Sequence, residues 1–517
     1  MVGSYEFSAN SYIGSLVQLS GPLLSKVNEA ITKDLHAISI RLAQKDSTIW
    51  GAKTEAAMRL NWVDLPVKSR ELMPELDSLS AWARTNKLDR VVLCGMGGSS
   101  LAAEAIAAAY KKELVIVDST HPAQILNSVT TDLSNSVIII SSKSGTTIET
   151  TSHLKIFTAK LREMGLKPKN HLVIITDPGT PLDKSSRQQG IRVVNADPNV
   201  GGRFSALSAF GLVPAALLGI DISVFLDDAE TLTQTLIRED SPAIRIACLL
   251  FTETTQFINL CDLDSMLPGL SDWIEQLIAE STGKNHRGRL PVVIADPSEA
   301  IQDLIIGFSK GDFDLVIEGS LGEQFIFWEW VTALLCYLLK VDPFNQPNVT
   351  KAKERTAQIL SNMGNDEFLI PTPLIENSSY SIFSNQKISD LQDFLHIPSS
   401  YFAVMAYLAR GEDDEILKIG SMMSKKVGKP VTFGWGPQFL HSTGQFHKGG
   451  QPNGGFIQIT AEISPDISVP GERFTFYNLL MAQALGDGMA LIELNLPLIR
   501  IHLKDTRKGI ASLLLNF

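Results

Sequence analysis

SSKSGTTIET, residues 141–150, places six hydroxyl side chains and a glycine in ten positions, directly after the apolar run VIII (137–140). An upstream stretch, CGMGGSSLAAEAI (94–106), has the same order: an apolar run (VVL, 91–93), a turn of glycine and serine, then a helical pattern. Two strand–turn–helix units of this kind in succession argue for a parallel α/β sheet. Between a strand's carboxyl end and a helix N-terminus the backbone N–H groups are free, and the helix dipole favours an anion there. Glycine lets the backbone close in, and serine or threonine hydroxyls add hydrogen bonds. Gly95, Gly97, Gly98, Ser99 and Ser100 form one turn; Ser142, Lys143, Ser144, Gly145, Thr146 and Thr147 form the other. On neighbouring strands the two turns meet at the carboxyl edge of the sheet, where ligands bind. They read together as one phosphate site, whose neutral hydroxyls suit a phosphate that must leave again. Each turn alone could be no more than a helix cap, where Ser and Thr are common. A dinucleotide site is the rival, but GMGGSS lacks GxGxxG spacing, and the next strand ends in VDSTHP with only Asp118 as a ribose partner.

The same texture extends outward. From about residue 88, LDRVVLCGMGG, ELVIVDST, SVIIISSKSG, NHLVIITDPGTP and IRVVNAD are short, β-branched and bounded by Gly, Ser, Asp or Pro. A second such unit holds RLPVVIAD (289–296), FDLVIEGS (313–320) and an apolar helix in EQFIFWEWVTALLCYLLK (323–340). A third stretch contributes FAVMAYLA (402–409), KPVTFGWG (429–436), GGFIQITAEI (454–463) and LPLIRIHL (496–503). Upstream, LLSKVNEAITKDLHAISIRLA (23–43) has helical spacing. The expected division is a helical region 1–85, two doubly wound parallel-sheet domains at 86–235 and 236–365, and a C-terminal α/β extension, 366–517. That number of domains suits 517 residues.

Composition narrows the partners. A net charge of −11 argues against nucleic acid, whose phosphates need Lys and Arg. The four cysteines have no metal-type spacing and are expected to stay reduced in a cytosol. MVGSYEFSAN lacks the features of a signal peptide. The longest apolar run, VTALLCYLL (331–339), is too short to span a bilayer. A cytoplasmic protein with no membrane or nucleic-acid partner is expected.

Specific motifs then carry a resemblance. SKSGTTIET resembles the phosphosugar-binding turn of sugar isomerase (SIS-type) domains, and GMGGSSL is similar to the GIGGSxL of the phosphoglucose isomerase family. NVGGRFSALSAFG (199–211) resembles that family's GGR[FY]S, WIEQLIAESTGK (273–284) its QxxxESNGK, and DPFNQPNVTKAK (342–353) its NPFDQxGVExxK. The motifs follow the family's order. GWGPQFLHSTGQFHKGG (434–450) resembles the subgroup found alone or fused to transaldolase; no transaldolase half is seen in these 517 residues. The resemblance implies two SIS-type domains and an aldose–ketose isomerase interconverting glucose 6-phosphate and fructose 6-phosphate. It further implies a sugar phosphate substrate, a homodimer with sites near the subunit interface, and no metal, redox cofactor or covalent intermediate. Two rivals stand beside it: an isomerase that also accepts mannose 6-phosphate, and a phosphosugar sensor that binds without catalysis.

Residue by residue, Gln276 and Glu280 are four apart and share a helix face. Gly283 is expected to cap that helix, leaving Glu280 in the last turn against the negative dipole end, which favours uptake of a proton. The resemblance implies that Glu280 is the base moving a proton between C2 and C1 through an enediol(ate). Arg203 is the candidate to stabilise the negative charge on that intermediate, with Gly201 and Gly202 allowing close approach. In DPFNQPNVTKAK, Pro347 is expected at the first position of a helix, with Gln346, Thr350 and Lys353 on one stripe. Lys353 matches the family lysine that helps open the ring or binds near its oxygen, although Asn345, Asn348 and Thr350 replace family residues.

The family's ring-opening histidine lies in a GxNGQH segment between the Glu and Gln–Lys motifs; here that place holds GSLGEQFIFWE (319–329), with Gln324 near the position. Histidine is the residue type that titrates near neutrality, and His286, His441 and His447 are candidates, of which His441 and His447 are taken together. The expected catalytic set is Glu280, Lys353, Arg203, His447 and His441. The expected substrate-binding set is Gly98, Ser99, Ser142, Lys143, Ser144, Thr147, Gly202, Gln276 and Gln346.

Overall fold

The computed structural model of the chain describes residues 16–52, 54–254, 256–301, 304–362 and 372–517. The first ten residues, read above for a signal peptide, and the expected boundary at 365/366 lie outside the described residues.

The two hydroxyl-rich turns leave adjacent parallel strands. Arg90–Gly95 pairs with Ser136–Ser141, Gly95 opposite Ser141. Their five-stranded sheet runs Val115–Val117, Arg90–Gly95, Ser136–Ser141, Leu172–Thr176, Arg192–Asn195, all parallel. Arg90–Gly95, the first of these five in chain order, is flanked by the second on one side and the third on the other. This is the switch point of an open α/β sheet, and both turns open onto it. Alternation along the strands explains why the runs are apolar throughout. Val91, Leu93, Val137 and Ile139 face one core, while Val92, Cys94, Ile138 and Ile140 face another.

A second sheet runs Gln18–Ser20, Leu315–Glu318, Ile305–Gly307, Phe257–Cys261, Leu290–Val293. Four strands are parallel, and Gln18–Ser20 joins one edge antiparallel. The N-terminal segment therefore supplies a strand as well as helices. Helix Leu321–Leu339 begins at a Ser320/Glu323 capping box and is buried nearly all round, as its apolar sequence requires.

The C-terminal segment forms a third, mixed sheet: Ile375–Glu376, Tyr380–Ser384, Leu498–Leu503, Gly454–Ala461, Tyr401–Ala406, Val431–Trp435. Its helix Phe476–Glu493 lies along helix Thr350–Asn362. A Cβ at Gly486 would stand 2.7 Å from Thr356 Oγ1 and 2.9 Å from Thr356 N, so the two helices meet almost backbone to backbone. The architecture is the expected α/β class: two parallel-sheet units and a C-terminal α/β segment. Among the described residues no helix is long and apolar enough to cross a membrane.

Candidate active site

The hydroxyls of the second turn are not spent on capping. Thr147 precedes helix Ile148–Glu163 without a side-chain cap bond; its Oγ1 instead accepts from Ser142 Oγ at 3.0 Å. Ser144 Oγ and Thr146 Oγ1 lie 3.0 Å apart. Gly145, at φ +65°, closes the turn where a Cβ would meet Thr180 and Leu182 at 2.9 Å. Ser100 likewise makes no cap bond to helix Leu101–Ala109. Lys143 differs from its neighbours: its Nζ pairs with Asp177 Oδ2 at 2.7 Å and reaches the Asp197 carbonyl at 3.3 Å, so its charge is already matched.

Glycines bring three backbone segments into contact beside the first turn. A Cβ on Gly97 would collide with the His441 carbonyl oxygen, and one on Gly98 would collide with that of Gly202. Ser205 Oγ ties the last two together, donating toward Gly98 O at 3.3 Å and Gly202 O at 2.5 Å. Behind them Phe204 is wedged between Trp62 and Phe344, ring centroids 5.1 and 5.2 Å away. Burying such rings contributes about 1.5–3 kcal/mol each and fixes the neighbouring Arg203.

The Arg203 guanidinium has a partner on every side. Nε and Nη2 donate to Pro343 O at 3.2 and 3.1 Å, Nη2 to Asn345 O at 2.9 Å, and Nη1 to Gln346 Oε1 at 2.9 Å. Nη1 also pairs with Glu280 Oε1 at 2.6 Å. Both partners are buried. Glu280 comes from helix Leu270–Thr282, which Gly283 caps as the sequence indicates. The reason for glycine there differs from the usual left-handed cap: its φ is −70°, and a Cβ would collide with Phe446 Cα. Thr282, where the family has Asn, closes the same turn by donating to Ile278 O at 2.7 Å and accepting from Arg289 N at 2.9 Å. Gln276 Nε2 donates to Glu280 Oε2 at 3.2 Å and to His441 O at 2.8 Å.

That last bond joins the Arg–Glu pair to His441. His441 Nε2 lies 3.0 Å from Glu149 Oε1. Burial alone would push the Glu149 carboxyl up, but His441 beside it, its own backbone N–H and Lys353 outweigh burial and hold it at about 2. Glu149 is therefore a carboxylate. A cavity of about 230 Å³ opens here, lined by Ser144, Thr146, Thr147, Lys353 and His441 among others. The second hydroxyl-rich turn, the lysine and the histidine thus share one space, with Glu280 and Arg203 reached through Gln276.

Other expected residues lie elsewhere. His447 does not join His441: it is buried beneath the third sheet, its Nδ1 3.1 Å from the Tyr401 hydroxyl and its ring 5.9 Å from the tyrosine ring. Burial, with Lys448 beside it, pushes its imidazole down to about 3, so it is a neutral core side chain. His286 is exposed, at φ 59°. Gln324 is buried between strand and helix, donating to Ile317 O at 2.9 Å and accepting from Trp328 Nε1 at 3.0 Å. Pro347 does not start a helix: helix Thr350–Asn362 begins three residues later, and Pro347 and Asn348 form a turn pinned by Asn348 N to Gln445 Oε1 at 3.0 Å. Gln346 thus meets Arg203 from a loop, while Lys353 stands on the helix.

Sequence reasoning missed Glu149. It is the last residue but one of the quoted SKSGTTIET stretch, in the first turn of a helix, where a carboxylate is common for dipole reasons alone, and its histidine partner is 292 positions away. Gln483, which donates to Glu149 Oε1, was missed because the two are 334 positions apart.

The family model for phosphoglucose isomerase matches residues 25–291, a span holding both turns, Arg203, Gln276 and Glu280. The chain belongs to the phosphoglucose isomerase family. Among relatives, it is 30% identical to the glucose-6-phosphate isomerase of Methanocaldococcus jannaschii over 45% of this chain and 64% of that one. It is 32% identical to that of Thermus thermophilus over 45% and 58%. The chain thus spans about 60% of the length of these phosphoglucose isomerase relatives. A glucose-6-phosphate isomerase of Fusobacterium nucleatum is 24% identical over 66% of this chain and 96% of its own. Among solved structures, a hypothetical protein from Thermus thermophilus superposes with a TM-score of 0.59 at 25% identity, covering 67% of this chain and all of that one. A glucose-6-phosphate isomerase from Chlamydia trachomatis gives 0.56 at 18% identity over 68% and 89%, a likeness of fold.

Proposed function

We propose that this protein interconverts glucose 6-phosphate and fructose 6-phosphate by proton transfer through an enediol(ate). The observation that carries this reading is the chain of contacts Arg203–Glu280–Gln276–His441–Glu149, set beside a hydroxyl-rich turn at a sheet switch point. The turn residues Ser142, Ser144, Thr146 and Thr147, with Ser99 opposite, hold the phosphate through hydroxyls and free backbone N–H groups. Ring opening needs a group that gives a proton to the ring oxygen and takes one from the C1 hydroxyl. His441, oriented by the Glu149 carboxylate, has that role, and Lys353 on the facing wall supports the ring oxygen. Glu280 then moves the proton between C2 and C1. Arg203 already faces the carboxylate and cannot swing away, so it stabilises charge as it forms without rearranging. Gln276 and Gln346 fix Glu280 and Arg203.

A sensor needs the turn but neither a base nor a histidine–carboxylate pair, so the site favours the enzyme. The division at residues 85, 235 and 365, a homodimer and a cytoplasmic location remain part of this proposal, on the family resemblance; the four cysteines are free and buried. The test is a coupled assay of the purified full chain with fructose 6-phosphate supplied, EDTA present and glucose 6-phosphate detected. Turnover supports the isomerase; binding of fructose 6-phosphate without turnover would return the sensor.

A further inference from the structure

The helix Phe476–Glu493 lies outside the matched family segment, yet it touches the site at three places. Gln483 Nε2 donates to Glu149 Oε1 at 2.6 Å. One turn on, Asp487 forms an ion pair with Lys448, both fully buried, and Lys448 lines the same cavity as His441. Between them Gly486 seats the helix that carries Lys353.

Gln483 is the contact that bears on chemistry. Its own oxygen accepts from Thr120 Oγ1 at 2.7 Å, which fixes the amide orientation and turns its N–H toward Glu149. The oxygen of Glu149 that receives this bond is the one that also holds His441 Nε2. Without Gln483, Glu149 Oε1 keeps one side-chain partner, the histidine itself, and nothing but that bond and its own backbone N–H sets the orientation of the buried carboxylate. We propose that Gln483 is a positioning residue for ring opening: anchored by Thr120, it holds Glu149 in the orientation that aims His441 into the cavity. This rests on the isomerase reading above and assigns to the C-terminal helix a part in the reaction.

The test compares full-length wild type with Gln483→Met, Gln483→Glu, Thr120→Val and His441→Ala, thermal melts confirming that each is folded. The readouts are kcat, KM and the primary isotope effect on kcat for glucose 6-phosphate deuterated at C2. Gln483→Met is expected to lower kcat by about 10²-fold, the scale of a misplaced catalytic group, with KM changed less than about twofold. Its isotope effect should fall toward one, because ring opening becomes slower than the C–H step. Thr120→Val should move the same readouts the same way, by less, and it tests the idea even if Gln483→Met does not fold. Gln483→Glu sets a second carboxyl against Glu149. It should be nearly inactive at neutral pH and regain activity as the pH falls toward about 5, where a proton shared by the two carboxyls restores the donor. The charged or titratable groups facing Glu149 are His441, Lys353, His153 and Tyr407; none is altered by the Gln483 and Thr120 substitutions. A kcat loss with the isotope effect unchanged, or no low-pH recovery in Gln483→Glu, would overturn the inference. An inactive wild type would instead overturn the isomerase reading on which it rests, and an unimpaired His441→Ala beside an active wild type would overturn the role of His441 and the inference with it. An impaired His441→Ala beside an unimpaired Gln483→Met would overturn the inference alone.

Discussion

His441 Nε2 stands 3.0 Å from Glu149 Oε1, although the two residues are 292 positions apart in the chain. The histidine comes from the C-terminal α/β segment and the carboxylate from the first turn of the helix that follows the second hydroxyl-rich turn. The pair exists only because the segment after strand Val431–Trp435 comes up against the turns at the carboxyl ends of Arg90–Gly95 and Ser136–Ser141. His441→Ala is expected to lower kcat by about 10²–10⁴-fold, the range for a lost acid–base group, and to leave the melting temperature within a few degrees. Glu149→Gln keeps the shape and loses the charge, so its loss should be smaller. His447→Gln should leave turnover near wild type. Steady-state kinetics of the three variants decides between the two histidines.

Glu280→Gln removes the proposed base while keeping a hydrogen-bond acceptor for Arg203. Turnover should disappear and fructose 6-phosphate should still bind, measured by calorimetry. Glu280→Ala is a different experiment. Both variants take the charge from beside the buried Arg203, but alanine also takes the acceptor, moving it toward the full cost of about 3–5 kcal/mol when a buried ion pair loses one member. The alanine variant should therefore melt well below the glutamine variant, and retained activity in either would discard Glu280 as the base.

Three histidines sit neutral in the interior, His447 pushed down by burial to about 3 and His121 and His153 to about 4. In the unfolded chain each takes a proton as the pH falls through about 6.5. Between that value and 3–4 the unfolded state binds more protons than the folded one, so stability rises with pH in this window. It is greatest above about 6.5 and falls below it by about 1.4 kcal/mol per pH unit for each histidine. The melting temperature of wild type should drop steeply from pH 6.5 to 4, and that of His447→Gln less steeply. Parallel profiles would show that His447 carries none of the acid lability.

Much of this arrangement can be read in the sequence because it is local. The apolar runs ending in Gly95 and Ser141, the helix carrying Gln276 and Glu280, and the GGRF turn each depend on residues within a few positions of one another. What cannot be read is long-range. His441 and His447 are the same residue type in one short stretch, and only the packing of Tyr401 against one and Glu149 against the other separates them. Lys143 looks like a phosphate ligand by position, yet Asp177, at the end of a neighbouring strand, has taken its charge. Pro347 looks like a helix start, but Gln445, from the third segment, holds the following residue in a turn. In each case the deciding partner comes from a distant part of the chain.

Lys143 supplies the last prediction, because it separates the turn's hydroxyls from its charge. Ser142 Oγ and Thr147 Oγ1 contact each other and no backbone cap, so they are free to rotate toward a phosphate. Ser142→Ala with Thr147→Ala should raise KM for fructose 6-phosphate by about 10²-fold or more, since two hydrogen bonds to a charged group contribute about 1.5–3 kcal/mol each, and should change kcat little. Lys143→Met removes a cation that is paired with Asp177 at 2.7 Å and directed toward the Asp197 loop. It should lower the melting temperature, because Asp177 is left half-buried and unpaired, while KM changes much less than in the double variant. Measuring KM and melting temperature for both variants checks the assignment. If Lys143→Met raises KM as far as the double variant does, the lysine must leave Asp177 when substrate binds, and the phosphate is held by charge as well as by the hydroxyls.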